Sequence, residues 1–101
     1  MNSIEVGLVT TFKLNSGEEM IAKVVASNWP MITVSNPVSI APSQQGVGLV
    51  PSMYTADSKE NAVINMNSVS LYAVTEDAVQ MKYIEATTGL KVPEKKKLIL
   101  G

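Results

Sequence analysis

Apolar residues fall on alternate positions through most of the first half of the chain, and this period of two is the strongest constraint on the fold. From Val6 to Leu14, the residues Val6, Leu8, Phe12 and Leu14 share one face, with Thr10 among them. An extended chain sends successive side chains to opposite faces, so the pattern predicts a strand. Glu18 to Ala26 repeats it, with Met20, Ala22, Val24 and Ala26 on one face and Glu19, Ile21, Lys23 and Val25 on the other. Met31 to Ala41 does so again, placing Ile32, Val34, Val38 and Ile40 together opposite Thr33, Ser35 and Ser39. Pro37 has no amide to give a ladder, so it belongs at an edge or a bulge of that long strand.

The breaks between these runs carry turn chemistry. Asn15-Ser16-Gly17 reverses the chain after the first strand, and Asn28-Trp29-Pro30 breaks the second. Pro42 to Gly46 reads as a loop, Val47 to Tyr54 as a short strand weakened by Gly48 and Pro51, and Thr55 to Asn61 as a polar loop. Ala62-Val63-Ile64 is a short strand, Asn65-Met66-Asn67 a tight turn, and Val69 to Val74 a last strand with Leu71 and Tyr72 on opposite faces. A helix follows from about Glu76 to Thr88. Thr75 can cap it, Glu76 and Asp77 suit its positive end, Val79, Tyr83 and Ala86 form one face, and Gly89 suits its stop. Short twisted strands with one helix predict a mainly β fold: a small, strongly bent five-stranded barrel of SH3-like or Sm-like type, its C-terminal α-helix covering one open end or one edge.

The chain of 101 residues supports one domain, residues 1–90, with a short tail at 91–101. A domain of this size buries only about 60–65% of its unfolded surface, so self-association would add useful burial. Nothing in the sequence points to a membrane span or a signal peptide. Charge separates along the chain. Residues 1–90 carry four Lys against eight acids, a net of −4, while residues 91–101 carry four Lys against one acid, a net of +3. The tail Lys91-Val92-Pro93-Glu94-Lys95-Lys96-Lys97 is the one basic cluster, and Leu98-Ile99-Leu100 after it suits docking on a neighbour.

The chain has no Cys, His or Arg. Disulfides, thiolate nucleophiles, imidazole bases and zinc-finger ligands are excluded, and so is the bidentate guanidinium fork for phosphate or guanine. Glu18-Glu19 and Glu76-Asp77 are sequence neighbours rather than a spaced acid–base pair, and Gly46-Val47-Gly48 lacks the third Gly of a phosphate loop. No enzyme, catalytic residue, metal or cofactor is expected.

Leu14-Asn15-Ser16-Gly17-Glu18-Glu19-Met20-Ile21-Ala22-Lys23-Val24 resembles the first signature of Sm-like (LSm) proteins, an apolar strand, a short turn ending in Gly and an alternating strand. Ile64-Asn65-Met66-Asn67-Ser68-Val69 resembles the second, a short strand, a tight turn and a closing strand. The likeness covers roughly residues 6–74 and is closest to family members carried by phages of marine bacteria, which implies a bacterial host cytoplasm. The resemblance implies subunits that pair edge strands into a homo-oligomeric ring, with RNA bases near the turn after the second strand and the turn of the second signature.

Carried over, those turns are Asn28 and Trp29, and Asn65, Met66 and Asn67. Trp29 offers a stacking face worth about 1–3 kcal/mol per base. The amides of Asn28, Asn65 and Asn67 suit base edges, and Met66 suits an adaptable apolar contact under a base. The chain departs from the family at Asn28 (Asp in the family), Ile32 (Asn), Ala22 (Gly) and Asn65-Met66 (Arg-Gly), and its helix follows the strands instead of preceding them. The missing Arg leaves Lys95, Lys96 and Lys97, repeated on every subunit, to supply positive charge. The expected partners are single-stranded RNA or DNA and further copies of the chain, in RNA processing. Plainer roles stand beside these: Trp29 next to Pro30 staples a turn, Asn65 and Asn67 serve turn backbone, and the six Met fill core and interface. The alternative function is a structural or protein-interaction module on the same barrel.

Overall fold

The computed structural model describes residues 4–44 and 46–88. These form strands β1 (Val9–Leu14), β2 (Glu19–Asn28), β3 (Met31–Ser43), β4 (Gly46–Pro51), β5 (Ala62–Asn65) and β6 (Val69–Val74), a 3-10 turn at Met66–Ser68, and helix α1 (Asp77–Thr88). All strand pairs are antiparallel, in the order β4-β3-β2-β1-β6, with β5 also pairing on β3. β3 is long enough to serve two partners on one edge. Its first half, Met31 to Val34, takes β5, and its second half, Val38 to Ser43, takes β4.

The β1–β2 hairpin forms where the turn residues predict it. The Leu14 amide donates to the Glu18 carbonyl and the Gly17 amide to the Leu14 carbonyl, each at 2.8 Å. Gly17 sits at φ +98°, a conformation in which a side chain is strained, so this position needs glycine. The chain enters β1 later than the alternation predicts. Gly7 has φ +95°, the Leu8 amide turns back to the Glu5 carbonyl, and Val6 is left exposed rather than sharing the face of Phe12.

β3 departs from the simple alternation in a way that organises the whole fold. Lys23 pairs with Ser35 while Ile21 pairs with Val38, so Asn36 and Pro37 together oppose Ala22 alone. Pro37 lies in a bulge, as its missing amide predicts. The extra residue reverses the parity of everything after it. Ile32 and Val34 face the first core with Phe12, Met20, Ala22, Val24, Ile4 and Met66. Val38 and Ile40, predicted on that same face, instead turn to the opposite one and join Val9, Ile21, Leu49, Val79 and Tyr83. Asn36 holds the bulge at φ +50°, which Asn tolerates better than most residues do.

The sheet is therefore apolar on both faces, and α1 covers the second. This differs from the expectation that the helix closes an open end or an edge. Ile21 points away from the first core and needs a cover, and Tyr83 and Val79 provide it. The Tyr83 hydroxyl accepts from the Lys23 amide at 3.1 Å and donates to the carbonyls of Ser35 and Asn36 at 2.9 and 3.1 Å. Ala86, the third residue of the predicted face, is exposed. Thr75 does not cap the helix with its hydroxyl, which pairs with that of Thr11 at 2.8 Å. Gly89 lies outside the described residues.

The fold is thus mainly β, an antiparallel sheet with one C-terminal helix, but with six strands rather than five. Among the described residues no ladder joins β6 to β4 or β5, so strand pairing does not close the sheet. The 3-10 turn fills the corner between β5 and β6, and its Met66 is buried in the first core. No described helix is long and apolar enough to cross a membrane.

Candidate functional site

Two turns far apart in sequence meet at one end of the sheet. The first is the β2–β3 tip, where Asn28 pairs with Met31 across Trp29 and Pro30, which are joined by a cis peptide bond. The second is the 3-10 turn after β5. Met31 also pairs with Asn65, and the Met66 amide donates to the Pro30 carbonyl at 2.8 Å. Asn28, Trp29, Asn65 and Asn67 are thereby gathered, all of them exposed.

Within this group the side chains divide by their bonding. Asn65 Oδ1 accepts from the Asn67 amide at 3.0 Å and so caps the turn, the backbone role that turn asparagines commonly serve. The side-chain amides of Asn28 and Asn67 make no hydrogen bond to another described residue. The Asn67 carbonyl accepts from Asn15 Nδ2 at 3.0 Å, and Asn15 Oδ1 accepts from the Ser70 hydroxyl at 2.7 Å. The β1–β2 turn thus braces the 3-10 turn from the other side.

Trp29 is 59% exposed, which leaves much of its indole open to solvent. Its inner side lies against Tyr72 of β6, ring centroids 6.3 Å apart and planes tilted by 55°. Tilted aromatic pairs of this kind contribute about 0.5–1.5 kcal/mol beyond the area they bury. Tyr72 escapes the sequence reading because alternation marks it only as a strand residue. Its place at the site depends on β6 pairing with β1, a long-range fact that no local pattern encodes.

Met66 is corrected. Only 6% of it is exposed, packed with Phe12 and Ile32 in the first core, so its side chain supports the site from beneath and presents no surface to a base. Lys95, Lys96 and Lys97 lie outside the described residues, as does the predicted tail at 91–101.

The remaining polar cluster is architectural. The Ser39 hydroxyl donates to Glu18 and shares a 2.9 Å hydrogen bond with Ser52, tying the starts of β2 and of the 52–61 loop to β3. Burial pushes the Tyr83 phenol above its ordinary value, and the amide hydrogen bond from Lys23 opposes that only in part.

The arrangement provides an exposed aromatic ring with asparagine amides on the same two turns, a combination suited to flat, edge-polar ligands. The chain matches no protein-family model and no curated protein.

Proposed function

We propose that the chain is an Sm-like module that binds single-stranded nucleic acid, RNA in the first instance, and acts as a homo-oligomeric ring. The observation that carries this reading is the meeting of the Trp29 and Asn65–Asn67 turns through the Met66–Pro30 hydrogen bond. Those are the two segments that the family resemblance assigns to base contact. Trp29 would stack a base, and Asn28 and Asn67, whose amides have no described partner, would read its edge. The order of elements supports the same reading: a hairpin, a long bent third strand, a variable segment, then two short strands about a 3-10 turn.

Assembly would use the outer edges of β4 and β6, which no other described strand covers. Leu71 and Val74 on β6 are 66% and 59% exposed and Val47 on β4 is 66% exposed, so apolar area remains for a neighbour to bury. A ring would repeat a weak site around its axis, and the Lys95–Lys97 arms would counter the acidic body.

A second reading, a protein-interaction module without nucleic-acid binding, draws on the net charge of −4 over residues 1–90 and the lack of Arg. Titration of short U-rich and A-rich RNA into the full chain at low salt, followed through the emission of its single Trp, separates the two. Saturable quenching supports RNA binding. No change for either RNA up to tens of micromolar, with nucleic-acid-free oligomer in light scattering, selects the second reading. A monomer in light scattering overturns the ring.

A further inference from the structure

The side chain of Asn15 does not serve the turn it belongs to. The β1–β2 reversal is closed by the backbone bonds of Leu14 to Glu18 and of Gly17 to Leu14, and neither involves Asn15. Asn15 instead reaches the 3-10 turn, 52 residues further along the chain. Its Nδ2 donates to the Asn67 carbonyl at 3.0 Å, and its backbone amide donates to the Ser68 carbonyl at 2.7 Å. Both carbonyls lie at the end of the Met66–Ser68 turn, where a helical segment leaves its carbonyls without partners of its own. The orientation of the Asn15 amide is fixed. A carbonyl only accepts, and the Ser70 hydroxyl donates to Asn15 Oδ1 at 2.7 Å, so Nδ2 is the group that must face Asn67.

Asn67 is thereby held at both of its backbone groups. Asn65 Oδ1 takes its amide and Asn15 Nδ2 takes its carbonyl, each at 3.0 Å. Its own side chain is exposed and bonds to no other described residue. Asn28 differs: it ends β2, paired with Met31, and among the described residues no side chain bonds to its backbone. An amide that offers one donor and one acceptor from a fixed backbone fits one base edge better than another. The same amide on a loose turn would adapt to any.

We infer that Asn67 is the residue that discriminates between bases, and that Asn15 is the positioning residue that makes the discrimination possible, acting through the Asn67 carbonyl. The inference rests on the nucleic-acid reading above and deepens it. Trp29 supplies affinity that is indifferent to the base, and the Asn15–Asn67 pair supplies the preference.

The test compares hexaadenylate, hexacytidylate and hexauridylate, each titrated into the full chain and followed by Trp emission, for the parent, Asn15→Asp, Asn67→Ala and the double variant. Asn15→Asp keeps the acceptor for Ser70 and puts an oxygen where the donor to Asn67 stood. The parent should show a spread of about tenfold in Kd among the three RNAs, the scale of one amide on a base edge. Asn15→Asp should narrow the spread to about threefold, with the quenching at saturation unchanged because stacking persists. Its added charge weakens all three RNAs alike and leaves the spread untouched. In the Asn67→Ala background, Asn15→Asp should narrow the spread no further, since the two residues act as one unit. Should Asn15→Asp not fold, Ser70→Ala takes its place, because it frees the Asn15 amide from an exposed position and adds no charge. A spread that survives the substitution overturns the inference, as does further narrowing in the Asn67→Ala background or a parent that binds all three RNAs alike. In each of these cases RNA binding itself stands. A parent that binds none of the three removes the nucleic-acid reading and the inference with it.

Discussion

The Met66 backbone amide donates to the Pro30 carbonyl at 2.8 Å while the Met66 side chain is buried beneath the same contact. One residue therefore joins the two turns through its backbone and anchors their junction in the first core through its side chain. Met66→Leu conserves volume and should cost less than about 1.5 kcal/mol, whereas Met66→Ala opens a cavity beside Phe12 and Ile32 and should cost about 2–5 kcal/mol. Urea unfolding checks both. Ligand affinity should follow stability here: Met66→Leu should bind RNA as the parent does, and a large loss of binding in a stably folded Met66→Leu protein would restore a direct contact.

Trp29 has the opposite character, exposed and at the turn's surface. Trp29→Ala should weaken RNA binding by about 1–3 kcal/mol for a stacked base, with little dependence on base identity. Its contact with Tyr72 predicts a smaller folding cost, about 0.5–1.5 kcal/mol. Circular dichroism with a labelled-RNA titration separates the two effects, and an unchanged affinity removes Trp29 from the site.

Replacing Lys95, Lys96 and Lys97 with Gln should lower affinity for all sequences alike. For single strands each lost phosphate contact flattens the slope of log K against log salt by about 0.7. Binding measured across a salt series gives the slope directly. An unchanged slope shows that the lysines do not touch the polyanion.

Alternation alone made β1, β2, β5 and β6 legible as strands, although the pairing also shifts at Val25 of β2 and at Ser70 of β6. It failed at Asn36–Pro37. Pro37 announces a bulge, yet the consequence, Val38 and Ile40 rotating onto the helix-facing side, follows only from counting partners on β2. The helix position was hidden in part for the same reason, since the face that Tyr83 covers gains Val38 and Ile40 only through that rotation. At the site, Trp29 and the asparagines could be named from their turns. Tyr72 could not, and Met66 was misplaced, because the next residue of a tight turn can point either inward or outward.

The bulge makes its own prediction. Asn36 lies at φ +50°, so Asn36→Gly should leave stability within about 0.5 kcal/mol of the parent, while the β-branched Asn36→Val should cost about 1–3 kcal/mol. Chemical unfolding with a constant m value reads both. Equal stability of the two variants would mean that the positive φ imposes no requirement at this position.

Tyr83 links the bulge, β2 and α1 through one hydroxyl, and its ionisation gives a test in pH. Its phenol is raised above the ordinary 10.0, chiefly by burial. The folded protein therefore holds this proton more tightly than the unfolded chain does. The stabilisation is complete below pH 10 and declines as pH climbs past that point through the raised value. Tyr83→Phe removes the hydroxyl, leaving the Lys23 amide and the carbonyls of Ser35 and Asn36 without it, and should cost about 1–3 kcal/mol at neutral pH. The informative quantity is the difference between parent and variant. That difference should hold steady up to about pH 9 and shrink above pH 10, where the phenol of the unfolded chain ionises while the buried one still keeps its proton. A gap that stays constant into the alkaline range would mean that Tyr83 ionises as readily in the folded protein as in the unfolded chain.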